Sequence, residues 1–146
     1  MMALKEGRAR VYNRRTGAHG AGHVGWAFLS DDGLWDVGAV ERGGLVTPPG
    51  KSGYWSIVME DPNPRMRTLN YDSFKEFPVA APGIALARAA VGEVSRRFFN
   101  LVLHNCMQDT YNVLRAYGAN PPQINKRWDF KPNDWYNLLM GEFVRL

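Results

Sequence analysis

Cys106 is the only cysteine in the 146 residues, and it stands where a nucleophile is useful. Asn105 before it is a good N-cap, because its side-chain oxygen can accept one of the orphan N–H groups of a first helical turn. Gln108 follows at capping-box spacing. Met107, Tyr111, Leu114 and Tyr117 recur at helical intervals, and Gly118 suits the left-handed position that ends a helix. The spacing therefore predicts a helix from Asn105 to Tyr117 with Cys106 in its first turn. There the helix dipole and the free N–H groups stabilise a thiolate, which is the form that attacks carbonyl carbon. The plainer reading is a buried thiol that packs as a small hydrophobe.

A thiol nucleophile needs a base within hydrogen-bond reach and a third group to orient that base. The chain has three histidines, His19, His23 and His104. His104, two residues before Cys106, is expected to point elsewhere at a strand-to-helix corner. His19 lies in a glycine loop. His23 opens an apolar run and would be held by a strand, so it is the candidate base. Asp36, thirteen positions after His23, is the candidate orienting group. Singly, each of these reads as an ordinary polar edge or corner residue. A zinc site from His19, His23, His104 and Cys106 is chemically admissible, but the spacings match no metal motif and no cofactor is called for.

The elements that position these groups follow from hydrophobic patterning. Residues 8–15 read as a short strand and Thr16–Gly22 as a loop. His23–Leu29 and Leu34–Val40 read as a hairpin about the Ser30-Asp31-Asp32-Gly33 turn, and Tyr54–Glu60 as a third strand that Asp61–Pro64 stops. Arg42–Gly53 is a Gly/Pro-rich loop, of the kind that is functional or mobile. Thr68–Val79 is ambiguous. Pro82-Gly83 opens a helix whose inner face is Ile84, Ala87, Val91, Val94 and Phe98, with Arg88 elsewhere. Phe98–Leu103 reads as a strand leading into the cysteine helix, and Asn133 as the cap of a last helix, Asp134–Met140. The expected class is α+β, a single domain over residues 1–146.

Composition narrows the partners. The net charge is +4 and the pI about 9.4. That suits an anionic partner such as cell wall, anionic lipid or nucleic acid without choosing among them. Lys5, Arg8, Arg10, Arg14 and Arg15 read as a solvated basic edge rather than a nucleic-acid patch. One cysteine excludes an internal disulfide. No secretory leader is expected, since charges run through Met1–Arg15, and no apolar run nears the ~20 residues that span a bilayer.

The order of these features resembles a known family. His23-Val24-Gly25-Trp26 looks like the His-x-Gly strand of the circularly permuted NlpC/P60 branch of the papain-like superfamily, in which the histidine precedes the cysteine. The run Phe98 to Cys106 looks like that group's approach to its Asn-Cys helix, and the resemblance covers residues 20–118. It implies an antiparallel sheet packed on helices, Cys106 as nucleophile, His23 as base and a polar third residue on the next strand, carried onto Asp36. Twelve positions is the spacing expected for that third residue, and here Trp35 occupies it. Asn105 and the backbone N–H of Cys106 would position the substrate and its oxyanion. The resemblance implies acyl transfer through a thioester, as in cell-wall amidases and endopeptidases, isopeptidases, and lipid acyltransferases of the lecithin-retinol kind.

The expected activity is therefore cleavage of an amide or peptide bond, with cell-wall peptide as a candidate substrate. Trp26, Trp35, Tyr54 and Trp55 are candidates for cleft walls or for core. The alternatives are a lipid acyltransferase or thioesterase on the same fold, for which no anchor is visible, and a non-catalytic binding module.

Overall fold

The computed structural model describes residues 6–17, 20–40, 46–47, 54–96, 99–100, 105–124 and 131–146. The strands are β1 (Gly7–Arg14), β2 (His23–Leu29), β3 (Trp35–Val40), β4 (Val46–Thr47), β5 (Tyr54–Met59), β6 (Ser73–Val79), β7 (Phe99–Asn100) and β8 (Glu142–Arg145). The helices are α1 (Asn63–Thr68), α2 (Ile84–Arg96), α3 (Cys106–Tyr117) and α4 (Pro132–Leu138). Six strands form one antiparallel sheet in the order β5-β3-β2-β1-β6-β8, and β4 pairs with β7. The class is α+β.

The sheet has two buried faces. Successive strand residues point to opposite sides, and β2 and β3 are apolar at nearly every position. Val24, Trp26 and Phe28, with Ala9, Val11 and Val40, meet α2, α3 and α4 on what we call the helix face. Tyr12, Ala27, Trp35, Val37 and Phe74 form a second core with Met66 of α1 and Tyr71 on the far face. Trp26 lies across Gly38 of β3, where an added Cβ would come within 2.5 Å of Trp26 Cζ2. The tryptophans of the hairpin are thus core on opposite faces rather than cleft walls.

Arg8 and Arg15 are exposed, but Arg10 and Arg14 of β1 are not part of a solvated edge. Arg10 is held between the rings of Trp35 (4.1 Å) and Phe74 (4.4 Å). It donates to Glu76 Oε1 at 2.7 Å and to the Tyr12 hydroxyl at 2.9 Å. Arg14 crosses Tyr71 and donates to the Leu69 carbonyl. The far face is aromatic, and a guanidinium can lie flat on such rings while its edge finds acceptors. Of the basic run, Lys5 lies outside the described residues.

Two elements go beyond the expectations above. Asp61–Pro64 does stop β5, but the same residues start α1: Pro64 falls in the first turn, where a missing N–H costs nothing, and Asp61 accepts from Asn63 N. Thr68–Val79 resolves into the strand β6. Its Pro78 is tolerated because β8 reaches only as far as Glu76, leaving no neighbour on that side of the strand. The last helix also begins earlier than expected, at Pro132, with Lys131 at its cap position. Its far end is held by Lys75 Nζ, which donates to the carbonyls of Tyr136 (2.9 Å) and Leu139 (3.0 Å).

Burial of two tyrosines in these cores has a measurable consequence. Tyr12 and Tyr136 are both pushed up to about 12, mainly because burial penalises the phenolate. Their folded values exceed the unfolded value of ~10, so the stability they contribute is complete below pH ~10 and is lost as pH rises towards 12. Alkaline difference absorbance should show at least two tyrosines titrating late, together with a fall in denaturation midpoint over that window. Ionisation of every tyrosine near pH ~10 in the folded protein would contradict this packing.

Candidate active site

Helix α3 forms as its sequence dictates. Asn105 is extended (φ −118°, ψ 177°), and its side-chain oxygen accepts from Gln108 N at 2.8 Å. The Gln108 side-chain nitrogen donates to Asn112 Oδ1 at 3.1 Å. Gly118 closes the helix in the left-handed region at φ 108°. Cys106 occupies the first turn and is 7% exposed, packed in the helix-face core. Met107, Leu114 and Tyr117 are buried as expected, and Tyr111 is half-buried.

The direction of α3 over the sheet is set by its last residue. The Tyr117 hydroxyl donates to the Leu29 carbonyl (2.6 Å) and accepts from Arg8 N, and its ring meets Phe28 at 5.1 Å. The C-terminus of α3 therefore sits over the end of β2. Eleven helical steps back cover about 16 Å, and five strand steps from Phe28 to His23 cover about 17 Å. The first turn of α3, with Cys106, thus lies over the beginning of β2, the end that carries His23.

His23 shares that end of the sheet but not its face. It pairs with Arg14 and alternates with Val24, which belongs to the helix face. Its imidazole lies on the far face against the Tyr71 ring, 5.9 Å between centroids, and is 6% exposed. His19 and His104 lie outside the described residues. Among the described residues no group of three or more His, Cys, Asp or Glu is placed to hold a metal, and no helix is long and apolar enough to cross a membrane.

Asp36 is on the helix face, at the other end of β2 from His23. It stands opposite Phe28, beneath the C-terminus of α3. Both its oxygens are taken by Arg88 of α2, Oδ2 by Nε at 2.9 Å and Oδ1 by Nη2 at 3.1 Å. This pair fastens α2 to the hairpin and raises the pKa of the guanidinium, chiefly through the hydrogen bond to Asp36. Arg88, expected off the packed face, supplies that fork through a side chain still 48% exposed.

Sequence reasoning overlooked a polar group at the Cys106 end. Asn13 of β1 is 3% exposed and on the helix face, opposite Val24. Its Nδ2 donates to Asn133 Oδ1 at 3.1 Å. Asn133 does not cap α4. Instead its Nδ2 donates to the carbonyls of Arg15 (3.0 Å) and Gly20 (3.1 Å), and its N–H donates to Ala21 O. Gly22, at φ 100°, has no room for a side chain against it, since an added Cβ would sit 2.3 Å from Asn133 Oδ1. The signal available was the break in alternation: Ala9 and Val11 are apolar, and the next residue on their face is an asparagine.

A groove among the described residues lies apart from Cys106. About 470 Å³ in volume, it is lined by Phe77, Pro78, Pro121, Pro122, Leu139 and Met140, at the C-terminal end of α4. Thr110, one turn beyond Cys106 on the same side of α3, is fully buried.

Replacing Arg88 with Ala should cost about 1–3 kcal/mol in chemical denaturation, because the buried Asp36 carboxylate loses its partner. The reactivity of Cys106 should be unchanged. A thiol rate that falls in the folded Arg88→Ala variant would assign Asp36 to the site.

Comparison with protein-family models, curated proteins and solved structures finds no match to this chain.

Proposed function

We propose that this chain is a cysteine hydrolase of amide or peptide bonds, a papain-like fold of the permuted NlpC/P60 kind with Cys106 as its nucleophile. The observation that carries the reading is the placement of Cys106 in the first turn of a properly capped twelve-residue helix, over the end of the sheet where β2 begins. Free N–H groups of that turn are donors for a tetrahedral oxyanion. In the reaction the thiolate adds to the carbonyl carbon, the oxyanion collapses and the C–N bond breaks, the departing amine taking a proton. Water then cleaves the thioester and restores the thiol. The basic charge of the chain suits an anionic polymer such as wall peptide.

The base in this reading is His23. It opens β2 directly after Gly22 and Gly20, both in the left-handed region. The reading requires the imidazole, packed on Tyr71 in this structure, to reach the helix face at the beginning of β2. A second reading, the same shell used for binding without catalysis, is favoured by the packing of His23 on Tyr71.

The test is the pH dependence of Cys106 alkylation by iodoacetamide in wild type and His23→Ala. The hydrolase reading expects a thiol that titrates well below ~8.5 and loses that advantage without His23. An ordinary thiol, unaltered by the substitution, would leave the binding module.

A further inference from the structure

We infer that Asn13 is a substrate-positioning residue of the Cys106 site, and that its side-chain oxygen accepts a hydrogen bond from an N–H of the substrate. The inference rests on the thiol reading and narrows it to amides that carry a hydrogen on nitrogen, against esters and tertiary amides.

The argument begins with the orientation of two amides. Asn133 Nδ2 faces two backbone carbonyls, Arg15 O and Gly20 O, which only accept. That end of Asn133 must therefore be the donor, and its oxygen must be the atom turned to Asn13. Asn13 in turn must present its nitrogen to Asn133. No rotation of either amide improves the count, so Asn13 Oδ1 is left as a buried acceptor with no partner among the described residues. Asn133 anchors Asn13 from α4 and the glycine loop while leaving that oxygen directed away from it.

The surroundings are those of the thiol. Asn13 is on the helix face at the end of the sheet where β2 begins. Helix α4 runs from Asn133, beside Asn13, to the Lys75 carbonyl clamp, so α3 and α4 both begin at this end. Thr110, one turn beyond Cys106 on the same side of α3, has a buried hydroxyl that also lacks a partner among the described residues. Buried acceptors are ordinarily satisfied, and one held unsatisfied by a rigid network marks a place reserved for a donor from outside the chain. A carbonyl oxygen cannot donate to Asn13. An amide N–H flanking the scissile carbonyl can, and it would hold that carbon at a fixed distance from sulfur.

The experiment compares two alkylating amides on the full chain. Iodoacetamide carries N–H groups, and N,N-dimethyliodoacetamide has the same reacting carbon and none. Each Cys106 rate is divided by the rate of glutathione with the same reagent, which removes intrinsic reactivity. The proposal expects the wild-type ratio to favour iodoacetamide by about fivefold, the scale of one neutral hydrogen bond. In Asn13→Leu, of similar volume but without an acceptor, that preference should vanish, whereas Asn13→Asp, which keeps an oxygen there, should retain it. Thermal unfolding followed by circular dichroism establishes that each variant is folded.

A wild-type ratio equal to that of glutathione would overturn the proposal without any variant, and would leave Asn13 Oδ1 to an enclosed water. A preference that survives in folded Asn13→Leu would overturn it as well. Cys106 inert to both reagents would bring down the thiol reading and this inference together, whereas a reactive Cys106 with no preference brings down only the inference.

Discussion

Everything in this molecule depends on one strand being buried on both sides. β2 has no solvent face, so each of its side chains is committed to one of two cores. Trp26 and Phe28 receive α3, while Ala27 joins Tyr12, Val37 and Met66 beneath α1. A slip of one residue in register would exchange the two sets and place the Trp26 indole in the space occupied by smaller neighbours. The seating of Trp26 over Gly38 prevents that slip, because only a glycine leaves room for the indole there. The site inherits this constraint: which face a residue serves is decided by parity along β2 and β1, before any question of chemistry arises.

Parity explains how far sequence reading carried. The helices and the hairpin were legible because their signals are local. The Asn105 cap, the Gly118 terminus, the three-four spacing of α2 and the Asp-Gly turn each act within a few residues. α1 was missed because its prolines were read as terminators alone, although proline in a first turn is equally a beginning. β8 has four residues and gains its identity from pairing with β6, which no local pattern announces.

For the site, the sequence brought out Cys106 and His23 but not their faces. Deciding that needs the pairing register, which comes from β1 and β3 on either side of β2 rather than from the His-x-Gly run itself. Asp36, thirteen positions after His23, stands opposite Phe28, five strand steps from His23. Its actual partner, Arg88, is 52 residues away in sequence and shows no motif that names it. Arg10 and Arg14 were misjudged, since only the assembled far face reveals the aromatic rings that receive them.

The asparagine network and the catalytic question meet at the glycine loop. Asn133 ties the Arg15, Gly20 and Ala21 backbone to β1, so the segment that delivers His23 is stapled from α4 rather than left to the hairpin. A loop held by three hydrogen bonds yet containing two left-handed glycines has a defined path and little torsional resistance to a second one. The same staple orients Asn13. In the proposed enzyme a single side chain from the last helix, Asn133, therefore touches both the segment before the base and the acceptor that selects an N–H.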